Sequence, residues 1–176
     1  MSEEGTGGEG VPPHVASEFY LWLWYTSDTT GGTLSLGEAG EVQFWVDDRL
    51  AFRSAGEDKV SAVLTGESPG STLEARAAVR GGKVLRDVRL AVRREGREYA
   101  VTLRGPAIEV TAAKLPGLLK GGDAAEILYE RLFLYEDLHW IVAQLFRRFA
   151  EERTGEGWRA GTVPAIRDWL VARGAA

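Results

Sequence analysis

Two histidines, the carboxylate pairs Asp47-Asp48 and Glu136-Asp137 and a run of basic residues have the greatest chemical reach in this 176-residue chain. His14 lies near the N-terminus. His139 falls in helical phase with Leu132 and Phe146. Neither has a second His or a Cys at the spacing a metal site uses, and the chain contains no cysteine. His139 therefore reads as a core or interface side chain rather than a ligand or base. Glu136 and Asp137 are neighbours in a helical pattern, where side chains diverge by about 100° and cannot converge on one substrate. Asp47-Asp48 reads as turn chemistry. Neither pair has the second converging carboxylate that glycoside cleavage or a divalent cation requires. Gly31-Gly32 and Gly81-Gly82-Lys83 lack the spacing of a phosphate loop or dinucleotide site, and there is no Gly-x-Ser-x-Gly element. The expectation is a chain with no catalytic residues, no cofactor and no metal.

The basic run is the one positive signal. Arg76, Arg80, Lys83, Arg86, Arg89, Arg94 and Arg97 fall within a short stretch. Residues 1–75 carry three basic and thirteen acidic side chains, residues 76–120 eleven and four, and residues 121–176 seven and nine. The segment 76–120 is thus strongly cationic inside a chain of net charge −5. Two readings stand side by side: a solvated charged face, or a surface for phosphates such as a duplex backbone. Arg94 and Arg97 would meet beside a turn, where like charges need an anion or water. Trp45 is the one aromatic candidate for base stacking on that face, and packing against another element is the favoured reading for it.

The elements that must position these residues follow from pattern. Residues 1–16, rich in Gly and Glu and holding Pro12-Pro13, read as a disordered acidic tail ahead of a single domain over 17–176. Ser17 can cap a short helix through Phe19–Tyr25, although so short an all-apolar run also fits a buried strand. Val42, Phe44 and Val46, then Leu50 and Phe52, alternate as a hairpin turning at Asp47-Asp48-Arg49. A third strand spans Lys59 to Leu64, and Ser71-Thr72-Leu73-Glu74 reads as the start of a helix running to about Arg80, stopped by Gly81-Gly82. Val84–Arg94 and Arg97–Arg104 form a hairpin over Glu95-Gly96. Val92 then pairs with Tyr99, Leu90 with Val101 and Val88 with Leu103, while Arg93 opposes Glu98 and Asp87 opposes Arg104. Ile108–Thr111 adds a further strand.

Residues Asp123 to about Arg153 read as one helix of roughly 45 Å. Leu128, Leu132, Tyr135, Val142, Leu145, Phe146 and Phe149 lie on one side, widened by Ile127, Leu134, Leu138 and Ile141. A last helix spans about Val163 to Arg173, with Pro164 in its first turn. The fold class is α+β: a mostly antiparallel sheet of hairpins against a long helix and a shorter final helix. The apolar surface exceeds what so small a domain buries, which marks Trp22, Trp24, Leu134 and Ile141 as interface residues.

No apolar run reaches the roughly 18 residues of a membrane span, and the acidic N-terminus is unlike a signal peptide. With cysteine absent, a reducing compartment such as the cytoplasm is expected.

Several segments together resemble one family. Glu18–Tyr25, Phe44–Leu50 and Leu64–Glu67 are followed by Glu74-Ala75-Arg76, Gly82-Lys83-Val84, Arg97-Glu98-Tyr99, Lys114-Leu115-Pro116 and Glu130-Arg131-Leu132. In that order they resemble the C-terminal half of the RdgC recombination-associated proteins, in their deltaproteobacterial-type branch, over roughly residues 17–150. The resemblance implies a non-enzymatic, nucleoid-associated protein. It would act as a ring-like homodimer around duplex DNA that restrains RecA-driven recombination, with the basic stretch as lining. It also implies a partner, either a second copy or a separate polypeptide supplying the N-terminal half. The alternative is an assembly subunit that does not touch DNA.

Overall fold

A computed structural model describes residues 13–37, 40–57, 59–117 and 122–172. The fold is α+β, an antiparallel sheet of six strands with four helices. In chain order these are α1 (Pro13–Thr29), β1 (Thr33–Ser35), β2 (Glu41–Ser54), β3 (Val60–Thr65), α2 (Leu73–Arg80), β4 (Lys83–Arg94), β5 (Arg97–Arg104), β6 (Glu109–Lys114), α3 (Ala124–Thr154) and α4 (Val163–Val171). The sheet runs β1-β2-β4-β5-β6, with β3 sharing the outer edge of β2 with β1. Asp123 opens α3 with a capping box completed by Glu126. A turn of π-helix, Trp158–Thr162, leads into α4.

The ambiguous Phe19–Tyr25 run is helical, and its apolarity all round has a direct cause. Phe19, Tyr20, Trp22, Leu23 and Trp24 are each at most 1% exposed, because α1 is covered on more than one side. Its Tyr20 hydroxyl donates to the Gly105 carbonyl on the sheet side at 2.6 Å. On the helix side, Phe19 meets Phe146 and Phe149 of α3, and Trp24 meets Trp169 of α4 edge to face. The polar ends of these aromatics find partners too. Trp22 Nε1 donates to Glu152 and Trp24 Nε1 to the Gly70 carbonyl. The helix starts at Pro13, not at a Ser17 cap, since proline suits the first turn, where no amide partner is needed. The rest of the expected tail, residues 1–12, lies outside the described residues, as does Arg173 at the far end of the expected final helix.

The expected hairpin at Asp47–Arg49 does not form. Instead β2 is one strand of fourteen residues paired to β4, with Val46 opposite Leu90 and Leu50 opposite Val88. Three residues of β2 thus span a single residue, Arg89, of β4. Inserting two extra residues keeps the alternation in phase, so a bulged strand and a hairpin produce the same apolar pattern. The β4–β5 hairpin has the expected register throughout. Glu95 (φ 50°) and Gly96 (φ 76°) both take left-handed conformations, as a two-residue primed turn requires.

Candidate interaction surface

The seven basic residues are dispersed rather than aligned. Arg76, on α2, is 8% exposed. It donates to Asp28 at 2.9 Å and to the carbonyls of Trp169 and Ala172, which pins α2 to α1 and α4. Arg86 pairs with its neighbour Asp87, itself buried and also approached by Arg104. Arg89 lies under the β2 bulge, 3.4 Å from both Asp47 and Asp48, and donates to Thr102 and to the Ala112 carbonyl. The bulge carboxylates therefore neutralise a cation of the same sheet. Only Arg80 and Lys83 of the seven have no carboxylate within ion-pair range among the described residues.

Arg94 and Arg97 do stand opposite each other on the β4–β5 hairpin. The anion between them comes from the same chain. Asp137 of α3 places Oδ1 2.8 Å from Arg94 and Oδ2 3.9 Å from Arg97, and its side chain is 11% exposed. Tyr99 of β5 also donates to Asp137 Oδ2, at 2.6 Å. Burial, and then this hydrogen bond to a carboxylate, push the Tyr99 phenol upward, so it stays a donor. The two guanidinium groups also lie over rings of α3, Arg94 over Trp140 at 4.5 Å and Arg97 over Phe133 at 5.2 Å. The hairpin tip is thus fastened to the middle of α3.

The expected interface residues are core. Trp22, Trp24, Leu134 and Ile141 are at most 4% exposed, closed in by the sheet, α1, α3 and α4. Of the two apolar sides of α3, the one buried carries Leu134, Leu138, Ile141, Leu145 and Phe149. The other side stays open along the first half of the helix. Leu128, Tyr129, Leu132 and Phe133 are more than half exposed, Tyr135 and Trp140 somewhat less. His139 is exposed as well, its ring 4.7 Å from that of Tyr135. No residue from Asp123 to Phe133 is buried. Periodicity marks the buried residues together with Leu128, Leu132 and Tyr135 as one broad side, leaves out Tyr129, Phe133 and Trp140, and carries no information on which part is covered.

Among the described residues, no group of three or more His, Asp and Glu could hold a metal ion. Asp47 and Asp48 line an open groove with Arg89, Trp45 and Lys114, while His139 belongs to α3. Trp45 lies beneath the Arg93 guanidinium at 5.6 Å. Among the described residues no helix is long and apolar enough to cross a membrane.

No family model, curated protein or solved structure matches this chain. The open face of α3 thus stands on its own geometry.

Proposed function

We propose that this chain is a non-enzymatic assembly subunit that pairs with a second copy of itself through the open face of α3. The observation that carries this reading is the extent of that face. At about 200 Å² per aromatic side chain, Tyr129, Phe133, Tyr135 and Trp140, exposed by 72, 53, 43 and 37%, leave about 400 Å² of ring-bearing surface uncovered. Leu128 and Leu132 enlarge it to the upper end of the largest apolar patch of an ordinary monomer, a patch that is often functional. Two such faces together approach the roughly 1,000 Å² that a specific interface needs.

The pattern also supports a geometry. Leu128, Leu132, Tyr135, His139, Val142, Phe146 and Phe149 follow alternating steps of four and three, the repeat of a helix-pairing seam. The seam's lower end is occupied, because Phe146 and Phe149 pack on Phe19 of α1. A parallel partner would run into that occupied end. An antiparallel partner places the two occupied ends at opposite extremes. Leu132 then packs against the partner's Tyr135, and Leu128 against the partner's His139. The homodimer implied by the RdgC resemblance is in keeping with self-association. Direct DNA contact draws less support, with five of the seven basic residues already in ion pairs.

Light scattering tests the proposal. The protein is expected to be a dimer at about 100 µM chain. Leu132→Glu is expected to be monomeric with an unchanged circular dichroism spectrum. The native chain has no cysteine, so introduced thiols report geometry cleanly. Leu128→Cys mixed with His139→Cys cross-links if the pair is antiparallel, whereas Leu128→Cys alone cross-links if it is parallel. A folded native chain that stays monomeric overturns the reading.

A further inference from the structure

On another part of the molecule, a groove of about 320 Å³ opens between the first turns of α1, the end of β2, the end of α2 and the start of β4. Leu21, Val79, Val84 and Leu85 supply apolar walls. Three groups of cationic or protonatable type, His14, Arg53 and Lys83, share the lining. Neither Arg53 nor Lys83 is in an ion pair among the described residues. Among the described residues Arg53 donates to backbone carbonyls alone, those of Glu57 at 2.9 Å and Ser54 at 3.5 Å. Lys83 is half-buried, with no carboxylate in ion-pair range among the described residues. The carboxylate of the lining itself, Glu18, is taken by Arg153 of α3.

An apolar trough beside uncompensated cations has a definite complement. We infer that this groove binds a single-chain amphiphile, with the acyl or alkyl chain on Leu21, Val79, Val84 and Leu85 and an anionic head against Lys83 and Arg53. Size favours one chain over two, since small-molecule sites begin near 300 Å³. The apolar walls give affinity in proportion to the methylenes covered. The cations select the head, because a charge-assisted contact to a carboxylate or phosphate is stronger than one to a neutral hydroxyl. Free fatty acid and lysophospholipid share this chemistry. The site is independent of α3 pairing.

The experiment is a titration of the isotopically labelled full chain, followed by amide NMR shifts, with dodecanoate, dodecyl phosphate and dodecanol as probes kept below micelle formation. Both anions are expected to shift the amides of Leu21, Val79 and Leu85, and whichever binds more tightly identifies the head group. Dodecanol and the Lys83→Met variant with either anion are expected to bind about tenfold more weakly, as the loss of one charge-assisted contact predicts. Val79→Trp, which fills the groove, is expected to abolish the shifts. If that variant does not fold, the dodecanol comparison on the native chain decides alone. Equal binding of dodecanol and dodecanoate overturns the inference, as do shifts confined to α3 or the absence of shifts at millimolar probe.

Discussion

The Tyr99 hydroxyl donates to Asp137 at 2.6 Å, joining β5 to α3 across 38 positions of sequence. The same carboxylate separates Arg94 from Arg97, so its loss leaves two apposed guanidinium groups without their common anion. Asp137→Ala is expected to lower stability by about 3 kcal/mol, as for a buried ion pair that loses one partner. Urea unfolding measures it. Glu98→Gln, in the solvent-exposed pair with Arg93, is expected to change stability by less than about 1 kcal/mol.

Covered and open stripes of α3 should respond oppositely to truncation. Leu138→Ala is expected to cost about 2–5 kcal/mol and Trp22→Ala about 3–5 kcal/mol, because both side chains are enclosed. Leu132→Ala, measured on monomeric protein, is expected to cost less than about 1 kcal/mol. Thermal and urea denaturation of the three variants, compared with their oligomeric state, separates core residues from docking residues.

Alkaline titration should reveal the two buried tyrosines, Tyr20 and Tyr99. Burial is the main cause that pushes Tyr20 and Tyr99 well above the ordinary value of 10.0, with Asp87 adding to Tyr20 and Asp137 to Tyr99. A phenol whose folded pKa is raised contributes stability that is complete below pH 10 and is lost as pH climbs from there toward the folded value. Phenolate absorbance from Tyr20 and Tyr99 is therefore expected to stay absent well above pH 10 and to jump when the chain unfolds.

Salt dependence distinguishes a lining of seven cations from the two left outside ion pairs. Seven phosphate contacts give a slope of log K against log salt near about −6, whereas Arg80 and Lys83 alone give about −2. Fluorescence anisotropy with a labelled duplex is expected to show weak binding with the shallower slope. A slope near the steeper value would restore the basic stretch as a DNA contact.

Glu95 takes a left-handed conformation without the residue type that favours it. Glu95→Asn is expected to raise stability by about 1 kcal/mol, since an Asn-Gly pair fits a primed two-residue turn. The loss of the Arg94–Glu95 contact offsets little of this, because Glu95 is exposed.

What could be read from sequence depended on whether independent signals agreed. The β4–β5 register was legible because apolar pairs on one face and charge pairs on the other both selected it. The β2 bulge was not, because two inserted residues leave the alternation intact. The α1 run was undecidable from pattern, since an element buried all round has no polar face to reveal its period. Asp137 was recognised only as half of an acidic dipeptide. Its role depends on a hairpin about forty residues earlier in the chain, a distance that local spacing does not report. The open stripe of α3 shows the same limit, since periodicity marks Leu128, Leu132 and Tyr135 but neither Tyr129, Phe133 and Trp140 nor what covers them.

The enclosure of α1 has a consequence during synthesis. Phe19 finds Phe149, and Trp24 finds Trp169, only after well over a hundred further residues have been made. A nascent chain leaving the ribosome must therefore carry its most oily segment exposed for most of translation, or in the care of a chaperone, until its final two helices arrive to seal it.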